Sequence, residues 1–268
     1  MSLDKLVPHK GDHAIQNVAF GMEWEGILPP QAISEIDRAL VEAIPELGQR
    51  QDVTTLRVNM TPDGTQATKD VSGFVYERKQ GGIVARSCQL NPNLFLVTNN
   101  NYTRWDNVWS DARKILEAVL PVVSNYKNVT ALGLQYIDLF VWKGVPEQIP
   151  LKEIFSATGQ VLPILALENQ SLWHVHQGAY TDMPLPIPCR RLDNYNVDIV
   201  DIDAFRCIQI LSGHRAVFST AQPAGNLVSS ASTSADSVMS ALHKQNKDFL
   251  NKLLSIEVCK LINLNGAN

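Results

Sequence analysis

The 268-residue sequence lacks most of the features that identify an enzyme or a membrane protein. It contains no phosphate-binding loop, no nucleophile motif and no C-x-x-C pair, so it predicts no cofactor. No stretch of 18 consecutive apolar residues occurs, which argues against a membrane span. Residues 1–13 contain no apolar run, so we expect no secretory signal and a cytoplasmic location.

Charge is also scarce, because charged residues make up 19% of the chain and the net charge is −4. Nucleic-acid-binding proteins usually carry a basic excess, since phosphate contacts supply most of their affinity. The acidic balance therefore disfavours nucleic acid and leaves an unidentified protein or small ligand as the expected partner. The oligomeric state does not follow from these numbers.

Four cysteines occur in the chain, and they are too widely spaced for a zinc knuckle: Cys88, Cys189, Cys207 and Cys259. We expect four separate buried thiols, as is usual for a protein of a reducing compartment. Cys189 precedes two arginines, which could lower the pKa of a thiol, although no nucleophile signature surrounds it.

Periodicity predicts strands alternating with a few long helices. Expected strands cover residues 14–24, 53–60, 73–79, 83–90, 94–98, 129–142, 161–167, 171–180, 191–202 and 205–218. Expected helices open at Pro29-Pro30, at Trp105 and at Leu151, and a terminal helix follows a Ser234 cap. Residues 61–72 and the uncharged, Ser-rich residues 216–235 are predicted loops, the second of them flexible.

This order predicts an α+β fold with antiparallel sheets covered on one face by long helices. The two sheets would come from consecutive strand–helix–meander–helix halves, residues 14–126 and 129–263. We expect a single compact body over residues 1–268. No residue-level repeat proves that the halves arose by duplication.

Four segments fall in an order that resembles an uncharacterised, sporadically distributed family of bacterial and archaeal proteins of about this length. They are residues 14–20 (AIQNVAF), the helix at 105–118, residues 132–138 (LGLQYID) and residues 242–253. The family has an N-terminal strand, a central "LRYIN"-like strand and a C-terminal "LHE…F" helix. This chain departs from it at Gln135, Asp138 and Lys244. The resemblance implies no catalytic residues, and the family's scattered occurrence fits an accessory role in a defence or mobile-element system.

His174 and His176 alternate along a predicted strand, so both imidazoles face one side of a sheet. With His214 from a later strand they form a candidate metal site. The alternative is a solvated strand face or histidines at the edge of the core, which we favour because no carboxylate or cysteine lies at a diagnostic spacing.

Five further residues are candidate ligand or partner contacts. Arg190 and Arg191 follow a proline-rich segment and suit an anion or a partner surface. Glu23 belongs to a Met22–Glu25 strand with two carboxylates on one face, where the alternatives are acid–base work and solvation. Arg86 and Asp138 are ionisable groups that a pocket could bring together.

Two functions of different class remain open. We favour a non-enzymatic binding or interaction module, because no catalytic signature occurs and many amide side chains lie in turns. The alternative is a small-ligand-binding protein or a hydrolase-like enzyme with a pocket between sheet and helix. That pocket would have to gather ionisable groups, with Glu23, Arg86, Asp138, His174 and His176 as candidates.

Overall fold

A computed structural model describes residues 3–61, 64–156, 161–169, 171–185, 187–228 and 235–266. Two single-turn 3-10 helices lie at Leu3–Lys5 and Pro146–Gln148. The strands are β1 (Leu6–Pro8), β2 (Ile15–Trp24), β3 (Gln49–Thr61), β4 (Gly64–Gln80), β5 (Ile83–Asn91), β6 (Leu94–Asn99), β7 (Val129–Trp142), β8 (Trp173–Met183), β9 (Cys189–Ile202) and β10 (Phe205–Gln222). The α-helices are α1 (Pro30–Ala43), α2 (Trp105–Ser124), α3 (Leu151–Ile154), α4 (Ile164–Glu168), α5 (Ala224–Val228), α6 (Ala235–Leu253) and α7 (Ile256–Leu261).

The ten strands form one continuous sheet in which every pair is antiparallel. Nine of them follow the order β3-β4-β5-β6-β2-β7-β10-β9-β8, and β1 pairs with β7. The meander β3 to β6 is thus joined to the later strands through β2, which lies between β6 and β7. The predicted α+β class with antiparallel pairing is confirmed, although the strands make a single sheet rather than two.

The helices follow local signals in most cases. Pro30 is the first residue of α1, as prolines favour, and the helix ends before Pro45 rather than at Gly48 as predicted. α2 continues through Pro121 to Ser124, and no side chain caps its N-terminus. The predicted cap at Ser234 lies outside the described residues.

No helix in the described ranges combines the length and apolar character needed to cross a bilayer.

Three predicted segments differ in the structure. Residues 64–72, expected in a loop, belong to the long strand β4, which pairs with β3 from Gln49↔Glu77 to Thr61↔Gly64. The low hydrophobicity of this segment therefore did not prevent it from pairing as a strand. Residues 164–167, expected in a strand over 161–167, belong to α4, which starts directly after Pro163, as prolines favour. The flexible loop predicted over residues 216–235 is wrong for residues 216–222, which extend β10, and for 224–228, which form α5; residues 229–234 lie outside the described ranges.

Two apolar clusters pack along the same helices and strands. The first contains Phe20, Ile115 and Leu242 among its buried residues, and the second contains Phe140 and Phe249. α6 contributes to both, and it packs on the sheet against β7 and β10, with Phe249 also stacked on Tyr195 of β9. Between the clusters lies a row of buried polar side chains from β7, β10, β9 and α6: Asp138, Ser212, His214, Asp193 and Asn246.

One glycine is required by close packing within the sheet. A Cβ on Gly73 of β4 would lie 1.9 Å from the carbonyl oxygen of Leu90 on β5. We therefore expect Gly73→Ala to lower the free energy of unfolding by about 2–3 kcal/mol, because the backbone must shift. Urea unfolding followed by circular dichroism measures the change.

The matched control is Gly133→Ala in β7, where the nearest atom to a new Cβ is 3.8 Å away. Its expected effect is at most about 1 kcal/mol in the stabilising direction, since alanine restricts the unfolded chain. Equal effects of the two substitutions on the free energy of unfolding would show that the close approach to the Leu90 carbonyl oxygen does not destabilise the Gly73→Ala variant.

Candidate functional site

A cavity forms where β7 changes its partner strand. Ile15, the first residue of β2, pairs with Asp138, while β1 pairs with β7 from Phe140 onward. Residues 9–14 leave the sheet between these two pairings. The His9 N–H donates to the Leu139 carbonyl oxygen at 3.0 Å, and the Leu139 N–H donates to the Ala14 carbonyl oxygen at 2.8 Å. The interruption leaves room beside Asp138.

The carboxyl group of Asp138 is the most unusual group at this position. The residue is 1% exposed, and its Oδ2 has no hydrogen-bond partner among the described residues. Burial raises the pKa of Asp138 from 3.8 to about 7, because a charged carboxylate is poorly solvated there. A buried acceptor without a donor costs about 1–3 kcal/mol, which makes it a natural contact for a bound molecule.

His243 of α6 forms the wall opposite the strand. Its ring stacks on Trp105 with centroids 4.1 Å apart and planes 2° from parallel, and its Nδ1 is hydrogen-bonded to Tyr136 Oη at 2.9 Å. Burial, with a smaller effect from Lys247, lowers the pKa of His243 to about 4, so the ring is neutral at pH 7. The stack and the hydrogen bond together fix the position of this wall.

The cavity has a volume of about 200 Å³. Two more aromatic rings extend its lining, since Tyr102 meets Tyr136 edge-on at 6.4 Å and His13 meets Tyr102 edge-on at 5.3 Å. Burial is the main cause that raises the pKa of Tyr102 to about 12. Asp12, Arg104, Lys247, Asn246 and residues of the C-terminal segment complete the lining.

A buried polar network adjoins the cavity through Asn246. Asn246 Oδ1 lies 2.5 Å from Ser212 Oγ and 3.2 Å from His214 Nε2, while His214 Nδ1 lies 2.8 Å from Asp193 Oδ1. Arg191 Nε donates to both oxygens of Asp193 at 2.8 Å. Burial would raise the pKa of Asp193, but the hydrogen bonds from His214 and Arg191 outweigh it and the pKa is lowered.

The structure brings only Asp138 of the predicted contact residues into the cavity. Glu23 forms a bidentate ion pair with Arg215, in which Arg215 Nε lies 2.5 Å from Glu23 Oε1. Glu23 lies on the opposite side of β2 from Phe20 and Trp24. Arg86 donates to the backbone oxygen of Glu46 at 3.2 Å. These two residues therefore do not converge with Asp138.

The two consecutive arginines point to opposite faces of β9. Arg191 is part of the buried network and pairs with Asp193, so its guanidinium is already bound to an internal carboxylate. Arg190 is exposed, lies 3.5 Å from Asp182 and contacts the ring of Tyr180. Alternation along the strand explains the difference.

The predicted three-histidine metal site is not formed. His214 lies opposite Asp193 on β9, and Asp193 lies opposite Ala179 on β8, so His214 is on the same face of the sheet as Ala179. His174 and His176 are an odd number of residues from Ala179 along β8 and therefore face the other side. His174 instead lies opposite Asp198 on β9. Within the described ranges, no group of three or more His, Cys, Asp or Glu side chains is arranged to hold a metal ion.

All four cysteines are buried and unpaired, as predicted. Burial raises the pKa of each thiol, and that of Cys88 reaches about 11. Cys189 therefore lacks the lowered pKa of a reactive thiol despite the adjacent arginines.

Several lining residues were not among the predicted site residues: His13, Tyr102, Trp105, Tyr136, His243 and Asn246. Two signals in the sequence could have identified part of this set. Tyr136 and Asp138 alternate on the apolar side of β7, which leaves a carboxyl on a buried face. Asn246 lies four residues after Leu242 and three before Phe249, on the inward side of α6.

Comparisons with known proteins do not assign this chain. No protein-family model matches it, and a search of curated proteins finds no match. The geometry of the cavity is therefore the basis for a functional proposal.

Proposed function

We propose that the chain is a non-enzymatic binding protein and that the cavity between β7 and α6 holds a small organic ligand. The single observation that carries this proposal is the buried Oδ2 of Asp138, which lines the cavity without a hydrogen-bond partner among the described residues. A ligand that donates a hydrogen bond there would remove the cost of leaving this acceptor unsatisfied.

The size and rigidity of the cavity support the proposal. Apolar cavities of about 150 Å³ are known to bind benzene, so about 200 Å³ accommodates a molecule built on one aromatic ring. α6 lies over β7 and forms the wall through His243, which Trp105 and Tyr136 hold in place. Such a preformed wall reduces the ordering cost of binding.

A catalytic role has less support from the geometry. The residues that a hydrolase-like centre could have used together with Asp138 are dispersed, because Glu23 is paired with Arg215 and His174 lies on the outer strand β8. The thiols are buried. Binding accounts for the cavity without requiring a second reactive group.

Benzyl alcohol is a suitable neutral probe of the cavity. Titration of the ¹⁵N-labelled protein should shift the indole N–H signal of Trp105, with a dissociation constant on the order of 1 mM for a ligand of this size. The indoles of Trp24 and Trp142 donate to the backbone oxygens of Pro92 and Val145 and serve as internal controls. The proposal would be contradicted if saturable shifts occurred only at the control indoles. It would also be contradicted if the Trp105 signal did not move at a benzyl alcohol concentration 10-fold above about 1 mM.

A further inference from the structure

The ionisable groups of the cavity differ in their depth. Asp138 is buried, whereas Arg104 is exposed and Lys247 is half-buried. Water and salt weaken the field of the exposed Arg104, and to a lesser degree that of the half-buried Lys247, compared with that of a buried carboxylate. Asp12, which also lines the cavity, is exposed and adds a second negative charge at the rim.

The remaining inner side chains favour a positive ligand over a negative one. His243 carries no charge at pH 7, and Tyr102 and Tyr136 are neutral as well, since burial raises the pKa of both hydroxyls further above the ordinary value of 10. Aromatic rings attract a cation placed near their faces, and several of them in one cavity form an aromatic cage. An anion would meet the carboxylate of Asp138 with no buried cation to compensate it.

We infer that the ligand is a small organic cation of about one ring in size, which donates an N–H hydrogen bond to Asp138 Oδ2 and packs against Tyr102 and Tyr136. This inference rests on the proposed binding function and specifies the class of ligand. A cationic N–H donor forms a charge-assisted hydrogen bond, which is about twice as strong as a neutral one. Amidines, guanidines and protonated amines share this chemistry.

Three probes of the same shape separate charge from cavity filling. Benzamidine is a cation at pH 8, toluene is neutral and benzoate is an anion. Measured by NMR titration at pH 8, benzamidine should bind at least 10-fold more tightly than toluene, and benzoate should bind most weakly. Asp138→Asn should weaken the binding of benzamidine at least 10-fold and change the binding of toluene less than twofold. Asp182→Asn, a change at an exposed carboxylate outside the cavity, should leave the dissociation constant of benzamidine within about threefold of the wild-type value.

The outcomes distinguish this inference from the proposed function. If toluene and benzamidine bind equally and Asp138→Asn affects neither, the cavity binds ligands but the cationic class is wrong. Tighter binding of benzoate would also overturn the inference and leave the binding function standing. If none of the three probes shifts the indole of Trp105, both statements fail.

Discussion

Asp138→Asn is expected to stabilise the protein at pH 8, although it removes a buried polar group. In the folded state the pKa of Asp138 is raised from 3.8 to about 7 by burial. At about 1.4 kcal/mol for each pKa unit, ionising this carboxyl in the folded protein costs about 4 kcal/mol at pH values above 7. Asparagine has nearly the same shape and no such cost.

The sign of the pH dependence follows from proton binding. Between pH 4 and pH 7 the folded state keeps the proton on Asp138 and the unfolded state has lost it. The contribution of Asp138 to stability therefore falls as pH rises through this window and is constant above it. His243 contributes in the opposite direction between pH 4 and 6.5, because burial lowers its pKa to about 4. Comparing variant and wild type at each pH cancels the part due to His243.

Urea unfolding at pH 5, 6, 7 and 8 provides the measurement. The free energy of unfolding of Asp138→Asn, minus that of the wild type, should grow by about 3 kcal/mol from pH 5 to pH 8. Asp12→Asn, at an exposed carboxylate, should stay within about 0.5 kcal/mol at every pH. A difference for Asp138→Asn that is flat with pH would mean that the carboxyl is not titrating in the folded protein.

Much of the fold could be predicted because local signals agree with the final packing. Alternation along residues 14–24 and 129–142 corresponds to β2 and β7, and Pro30 begins α1 as expected. The failures arose where the local pattern was ambiguous. Residues 64–72 lack an apolar pattern, yet they pair with β3 as part of β4. The apolar run near residue 164 forms a short helix after Pro163.

The candidate site was harder to predict because it depends on contacts distant in sequence. The pattern of β7 shows that Asp138 has a buried position, but the space beside it comes from the break between β1 and β2. His243 joins the site only because α6 packs across β7. The three-histidine metal hypothesis failed because the sequence does not give the register between strands. The pairing of His214 with Asp193 places His214 on the opposite face of the sheet from His174 and His176.

The largest loss of stability is expected from Asp193→Ala, which removes the carboxylate shared by His214 and Arg191. The side chains of the two donors, His214 and Arg191, are 0% and 15% exposed, so neither can replace the lost carboxylate with water without rearrangement. Removing one partner of a buried charged network typically costs about 3–5 kcal/mol, because the groups left behind stay desolvated. Asp193→Asn keeps one acceptor oxygen and should have an intermediate effect.

The matched control for this network is an exposed ion pair between Asp182 and Arg190, the residue before Arg191. Asp182 is 92% exposed and lies 3.5 Å from Arg190, so Asp182→Ala should cost less than about 1 kcal/mol. Urea midpoints at pH 7 compare the three variants. If Asp193→Ala and Asp182→Ala have similar midpoints, the polar row between the two apolar clusters does not stabilise the fold. If they differ as expected, the buried polar row that links β9 and β10 to Asn246 of α6 contributes to the stability of the fold.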